Sequence, residues 1–439
     1  MLYRNLPDGK GGRRFEDITA RAGLLNHPDW RERPNYSTSA AFLDYNNDGR
    51  LDLFVCSYVK IDMAHYPDCY GTKIDPATGE FQRGPCPPTR FEPTSCLLYR
   101  NNGDGTFTDV SREAGITQVA GKALGVVALN LNDENDRILT DIFVANDTEN
   151  NFLFRNLGNG KFEEIAVISG CAVSSAGNKQ AYMGVDADPL TDSGRPDIFS
   201  TTFQHETSSF FRNEGRFLFL DVAAQMGTGL GPPSWNRLKF GTCFLDVDHD
   251  GSLDIVVANG HVSRNVDLEG DPENTFRQPA QLFLNDGKGH FREISRQAGP
   301  YFLERHVGRG VAYCDYDNDG HMDLAFNNSG EPAVLLHNES KTPYHWIRLE
   351  LRGTKSNRDG VGAKVSVYAA NRKLVRHRKG GGSYCSASEP RLLIGLGTAT
   401  QADKIEIHWP SGLKQQLGPL QGGRGYRITE GVDKVETGP

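Results

Sequence analysis

The chain has 439 residues, 24% of them charged and 37% hydrophobic, with a formal net charge of −8. That is the composition of a folded chain and excludes a disordered tail; no apolar run approaches the roughly 18–20 residues of a membrane-spanning helix. The 49 glycines make about 11% of the chain against a usual ~7%, so the chain turns often.

In chain order, the first element is a pair of short strands, LYRN…FEDI, over residues 2–18. No apolar signal core precedes it, which leaves two expectations open: a signal has been removed, or the protein is cytoplasmic. An acidic loop running into an apolar strand follows, AFLDYNNDGRLDLFVCS at 41–57. It recurs as CFLDVDHDGSLDIVVAN at 243–259 and AYCDYDNDGHMDLAFNN at 312–328, and more loosely at 128–146 and 185–202. Between these copies lies a second element, an apolar pair ending in Asn, a Gly turn and a Phe: LLYRNNGDGTFTDV at 97–110, FLFRNLGNGKFEEI at 152–165, SFFRNEGRFLFLDV at 209–222 and QLFLNDGKGHFREI at 281–294, with a partial copy LLHN at 335–338.

Each element reads as two short strands around a tight turn, because NGDG and NDGKG supply the positive φ such turns need. Two elements make a four-stranded unit, and five or six such units read as a β-propeller. The expected architecture is all-β: a propeller of six or seven blades over 1–340, with an insert at 58–96, and a small β-domain over 341–439. The orphan LYRN…FEDI pair is expected to complete a blade begun by C-terminal strands and so close the ring. Charge divides at the same boundary. Residues 341–439 hold 17 Lys+Arg and 8 Asp+Glu, which leaves 31 and 48 for residues 1–340.

Asp44, Asn46, Asp48 and Asp52 occupy positions 1, 3, 5 and 9 of a D-x-N-x-D-G-x-x-D loop, with Gly49 at the sharp turn and the Arg50 carbonyl at position 7. The spacing converges hard oxygen ligands on one point and suits Ca2+ better than Mg2+. Asp246, Asp248, Asp250, Ser252 and Asp254 repeat it, as do Asp315, Asp317, Asp319, His321 and Asp323. The two looser loops offer Asn130, Asn132 and Asp141, with Glu134 and Asp136 beside them, and Asp188, Asp192 and Asp197. Three Ca2+ sites are expected, and up to five, in a structural role.

One strand beyond each loop, the chain reaches the opposite rim. There Tyr58, Asn146, Asp147, Phe203, His205, Asn259, His261, Arg309 and Asn327 are candidate ligand-binding residues, and the insert is placed to fold over them as a lid. No metalloprotease, nucleophile-elbow, P-loop or dinucleotide-binding signature is present. A cryptic acid/base site would draw on His261, Arg309 and Asp147. The basic run NRKLVRHRK at 371–379 reads as a strand that docks on the acidic propeller, with an anionic surface as the other reading; no motif points to nucleic acid. Cys56, Cys69, Cys86 and Cys96 are candidates for disulfides, in pairings the sequence leaves open.

The repeats at 41–338 resemble the FG-GAP/VCBS repeats of integrin α-chain propellers and bacterial surface proteins. HWIRLELRGTKSNRDGVGAKVSVYA at 345–369, RLLIGLG at 391–397 and KIEIHWPSG at 404–412 resemble the ASPIC/UnbV domain, and the order of the two is similar to the cartilage acidic protein family. The resemblance implies a Ca2+-binding propeller, secreted or periplasmic, acting as an adhesion or binding module for glycan or protein. The alternative is a small-molecule enzyme of cyclase, isomerase or lyase type using the channel face.

Overall fold

The structure is a computed structural model that describes the chain except residues 26–34, 75–78, 80, 133–137, 226 and 439. Among the described residues it is all-β apart from short helical turns such as Gly231–Trp235. Five antiparallel sheets follow one another, each ordered from centre to rim as the chain runs. Their innermost strands are Asn35–Leu43, Ala123–Leu129, Val185–Asp188, Lys239–Leu245 and Gly308–Cys314. Ala123–Leu129 and Lys239–Leu245 are buried along their whole length, which is why they read as continuous rather than alternating apolar runs. The first four sheets carry four main strands each, and the fifth has three, Gly308–Cys314, Asp323–Asn328 and Val334–Leu336.

The rim repeats as well. Each outermost strand carries a Phe, at its first or second residue, whose N–H donates to a carbonyl in the turn after the preceding unit's outermost strand. Phe107 bonds Ala22 at 2.9 Å, Phe162 bonds Ala114 at 2.9 Å, Phe219 bonds Ser169 at 2.8 Å and Phe291 bonds Thr228 at 2.8 Å. The N-terminal pair, Tyr3–Pro7 with Arg13–Asp17, thus occupies a sixth position beside the first sheet. The expectation that C-terminal strands pair with it is not met: among the described residues it stands as a separate two-stranded sheet.

The C-terminal chain closes the ring differently. From His345 it folds as two four-stranded sheets packed face to face on Ile347, Leu349, Val365, Val367, Ile405, Ile407 and Trp409. Out of this unit, residues 379–390 thread the middle of the propeller and meet every innermost strand. Gly380–Gly381 pairs with Val127–Ala128. The Ser383 N–H donates to the Val185 carbonyl at 2.7 Å and its hydroxyl to the Val311 carbonyl at 2.7 Å. The Cys385 N–H donates to Ser39 Oγ at 3.0 Å, and Tyr384 packs on Phe240 at 5.1 Å. Glycine is required here. A Cβ on Gly380 would collide with the Phe42 carbonyl, and Gly381 has φ +72°.

The basic run docks on the acidic loops. Arg372 Nη1 donates to the Asp250 carbonyl at 2.5 Å and Arg376 Nη2 to the Gly251 carbonyl at 3.1 Å. His377 Nδ1 lies 2.7 Å from Asp188 Oδ1, and Lys379 Nζ donates to Asp186 Oδ1 at 2.5 Å. The unequal charges of the two halves therefore meet face to face.

Candidate functional site

In the three clean loops, left-handed residues set the turn: Asn47, His249 and Asn318 at position 4 (φ 57°, 64° and 63°), then a glycine at position 6. The Gly49 and Gly251 N–H groups donate to the position-1 carboxylates Asp44 and Asp246, and Gly320 does the same to Asp315. The side chains are thereby turned inward on one another. Ligand oxygens of Asp246, Asp248 and Asp250 lie within 4.8 Å of each other, as do those of Asp315, Asp317 and Asp319. Asp246 Oδ1 and Asp315 Oδ1 are buried with no hydrogen-bond partner, the state of an oxygen whose partner is a cation. Burial, reinforced by neighbouring carboxylates, pushes Asp246 up to about 7 and Asp44 to about 6. These residues fit Ca2+. In the first loop Asn46 replaces one carboxylate and Arg50 folds back onto Asp48. Ser252 is buried beneath the second, and the His321 ring stacks on His249 at 4.6 Å.

The position-9 aspartates carry a second task. Asp52, Asp141, Asp197, Asp254 and Asp323 each accept one N–H from their own loop and one from an Asn at or near the end of the third strand: Asn101, Asn156, Asn213, Asn285 and Asn338. That Asn reaches the preceding unit, because Asn156, Asn213, Asn285 and Asn338 donate to the Tyr45, Leu131, Leu190 and Val247 carbonyls. The recurrent Asn of the second element is thus an inter-unit latch. Replacing Asn285 with Ala strands the Leu190 and Leu253 carbonyls. It is expected to lower stability by about 2–4 kcal/mol, read as a lower urea midpoint.

The looser loops differ. Asn130 and Asn132 are linked to each other, while Glu134 and Asp136 lie outside the described residues. Asp188 is taken by His377, and Asp192 is exposed. Among the described residues, Asp188, Asp192 and Asp197 do not assemble into a ligand cluster, because the C-terminal unit supplies the countercharge instead.

On the opposite face the insert and the rim enclose a cavity of about 780 Å3. Five predicted residues line it: Tyr58, Asp147, Phe203, His261 and Arg309. The other four candidates do not. Asn146 and Asn259 are buried, holding the Asn150 and Pro279 carbonyls, which is turn capping. His205 is exposed against Trp235, and Asn327 is exposed on the rim. The insert lies against the chamber: Tyr70 and Gly84–Pro88 line it, and a Cys69–Cys86 disulfide ties its hairpin, while Cys56 and Cys96 are free and buried. Sequence reasoning missed Tyr36, Phe240, Tyr384 and Cys385, also in the wall. The last two come from the other unit, and their only signal was the GGG run before them.

The polar groups of the chamber are constrained. Tyr58 donates to Asp147 Oδ2 at 2.5 Å, while Asp147 Oδ1 is buried without a partner. Burial pushes the Asp147 carboxyl up to about 6, although the Tyr58 bond and the Lys122 charge pull it down. The Arg309 guanidinium lies 4.2 Å from the Phe240 ring centroid and donates to the Gly260 and His261 carbonyls. Phe203 meets the His261 ring edge-on at 5.6 Å. Behind it the buried Lys239 ammonium donates to the Phe203, Glu206 and Ser234 carbonyls, fixing that stretch of rim.

Residues 246–326 match the model of the FG-GAP-like repeat, and residues 353–435 match that of ASPIC and UnbV. The chain thus carries a stretch that matches the FG-GAP-like repeat, followed by one that matches ASPIC and UnbV. It is similar to cartilage acidic protein 1. The Xenopus tropicalis protein is 25% identical over 410 residues, covering 90% of this chain and 54% of the relative; the human protein is 25% identical over 387 residues, covering 85% and 50%. The chain spans about half the length of the curated relatives it matches. Among solved structures, the BP39L lectin from Burkholderia pseudomallei aligns at a TM-score of 0.35 and 10% identity, over 88% of this chain and 99% of that one. A lectin of Agrocybe aegerita that recognises terminal N-acetylglucosamine aligns at 0.31 and 16%, over 69% and 81%. Likenesses this loose carry no argument about function. No described helix is long and apolar enough to cross a membrane.

Proposed function

We propose that this chain is a Ca2+-braced binding module whose ligand is a small polar ring, the end sugar of a glycan, held in the chamber opposite the acidic loops. The chamber carries the reading: about 780 Å3 walled by Tyr36, Tyr58, Phe203, Phe240 and Tyr384, with Asp147 presenting a free carboxylate oxygen. Ligand sites of roughly 300–1,000 Å3 combine apolar walls with a few fixed polar groups in this way. Aromatic faces take the C–H faces of a sugar ring, and a buried acceptor takes a hydroxyl. Asp44, Asp48, Asp246, Asp248, Asp250, Asp315, Asp317 and Asp319 hold the Ca2+, which pins each loop without entering the chamber. A disulfide in the lid suits a secreted or periplasmic setting.

The test is titration of the Ca2+-loaded protein with a panel of mono- and oligosaccharides. Asp147→Asn is expected to weaken binding by about 10–100-fold, and Phe203→Ala similarly, at an unchanged melting temperature. Absence of saturable binding across the panel overturns the sugar reading.

A second reading, an acid/base enzyme in the same chamber, is favoured by the Asp147–Tyr58 pair. The Asp147 carboxyl, near 6, can take up or release a proton near neutral pH, while the Tyr58 hydroxyl, pushed up by burial and by Asp147, keeps its proton and orients the carboxyl. Turnover with a pH limb near 6 that disappears in Asp147→Asn supports it; a flat profile removes it.

A further inference from the structure

The position-9 aspartates do not all face the same neighbour. The ladders Leu53↔Tyr99, Ile142↔Phe154, Ile198↔Phe211, Ile255↔Phe283 and Leu324↔Leu336 set one residue of the third strand opposite each Asp, just before the latch Asn. Asp52, Asp141 and Asp197 thus face Arg100, Arg155 and Arg212, Asp254 faces Leu284, and Asp323 faces His337. Arg is a fixed cation and Leu offers an ion nothing. Of these five side chains, His337 is the one that ligates metals.

The fold turns His337 onto its loop. In the second and third units the Arg is drawn off to a Glu, Glu163 of the outermost strand and Glu214 two residues on. The fifth sheet has no outermost strand among the described residues, and His337 leans back instead. Its Nδ1 lies 3.1 Å from Asp323 Oδ1 and 3.7 Å from Asp317 Oδ2, and its Nε2 lies 3.9 Å from Asp319 Oδ2. Tyr316 meets the ring edge-on at 6.0 Å. Ligand atoms of Asp317, Asp323 and His337 lie within 4.8 Å of one another, so the imidazole shares Asp317 with the cluster formed by Asp315, Asp317 and Asp319. Beneath them Asp315 is 1% exposed. The Gly320 N–H and Arg348 take its Oδ2, while Oδ1 has no partner. An ion that satisfies this buried oxygen therefore has an imidazole nitrogen in the same site.

We infer that the loop of the fifth unit takes a divalent transition-metal cation in preference to Ca2+, with His337 as a nitrogen ligand beside Asp315, Asp317, Asp319 and Asp323. This rests on the reading of the acidic loops as cation sites given above. Ca2+ is bound through oxygen, whereas imidazole suits zinc, iron and nickel, and carboxylate suits manganese. Carboxylates joined by one imidazole select by donor type rather than by size. The other two clean loops, with Arg100 or Leu284 in this place, remain Ca2+ sites. Ca2+ fills the fifth-unit loop as well when no such metal is offered.

Metal content of the full chain tests this, measured after equilibration with Zn2+ in a large excess of Ca2+ and gel filtration. The wild-type chain is expected to retain one Zn2+ more than His337→Gln, which keeps an amide oxygen at that place and takes Ca2+ there instead. The side chain is 38% exposed, so the exchange leaves the core untouched. With Mn2+ as probe, pulsed electron paramagnetic resonance is expected to show a directly bound nitrogen that His337→Gln lacks. Ca2+ at every loop with no Zn2+ retained overturns the inference and leaves the Ca2+-braced module standing. Zn2+ retained equally by His337→Gln, or bound Mn2+ without a nitrogen ligand, overturns it too. A chain that binds neither Ca2+ nor Zn2+ overturns both.

Discussion

Chelation of Ca2+ at pH 7 is expected to lower the melting temperature by on the order of 10 °C, from about 2.7 kcal/mol per site at a hundredfold excess of Ca2+ over its dissociation constant, three sites, and an unfolding entropy proportional to chain length. The effect is expected to depend on pH. Without the cation, burial holds Asp52, Asp141, Asp197 and Asp246 near 7 and Asp44 near 6, against about 3.9 in an unfolded chain. The metal-free fold then binds protons more tightly than the unfolded chain. Its stability from these groups is fully present below about pH 4 and is lost as pH rises through about 7. Ca2+ needs the ionised ligands, so the loaded protein moves the opposite way. The gap between loaded and chelated melting curves widens from pH 4 to pH 7. Superimposable curves at pH 7 would remove the metal from the account.

The second large effect is expected at the centre of the propeller. Lys379→Met leaves Asp186, 1% exposed, without its countercharge in the channel, and breaking a buried pair from one side costs about 3–5 kcal/mol. Asp186 also accepts the Phe244 N–H, so the loss reaches the fourth sheet. Removing the charge as well, in Asp186→Asn/Lys379→Met, is expected to recover most of the cost, because the desolvated carboxylate is gone and the amide oxygen still accepts from Phe244. Urea unfolding in saturating Ca2+ measures both. If the double variant is no more stable than the single one, the ion pair is not what seats this segment.

Much of this arrangement is legible in the sequence, and the reasons are local. Strand pairs and loops announce themselves because Gly49, Gly251 and Gly320 must be left-handed and the carboxylates around them must converge. Tyr58, Asp147, Phe203 and His261 converge because each lies at or just past the far end of a strand that leaves an acidic loop, and Arg309 because it opens a strand that runs from that rim to the next loop. The same rule over-reaches at Asn146 and Asn259, where a strand-end Asn caps its own turn. It is blind to Asn156 and Asn285, whose partners lie in another unit. The docking of Arg372, Arg376 and His377 was visible as a charge imbalance. The passage of 379–390 through the ring was not, because KGGGSYCS has neither strand nor helix periodicity and its hydrogen bonds go to four strands distant in sequence.

That segment ties the two faces of the protein together thermodynamically. One end continues the run whose Arg372 and Arg376 hold the Asp250 and Gly251 carbonyls of a clean acidic loop; the other presents Tyr384 and Cys385 to the chamber. A ligand that touches Tyr384 gains that contact only in molecules where the segment is seated, and on the proposed function seating depends on loops that Ca2+ would order. The affinity of the chamber and the affinity of the loops are then linked by one coupling factor that acts equally in both directions. On the function proposed above, the protein would be a two-ligand device, in which saturation on one side is readable as tighter binding on the other.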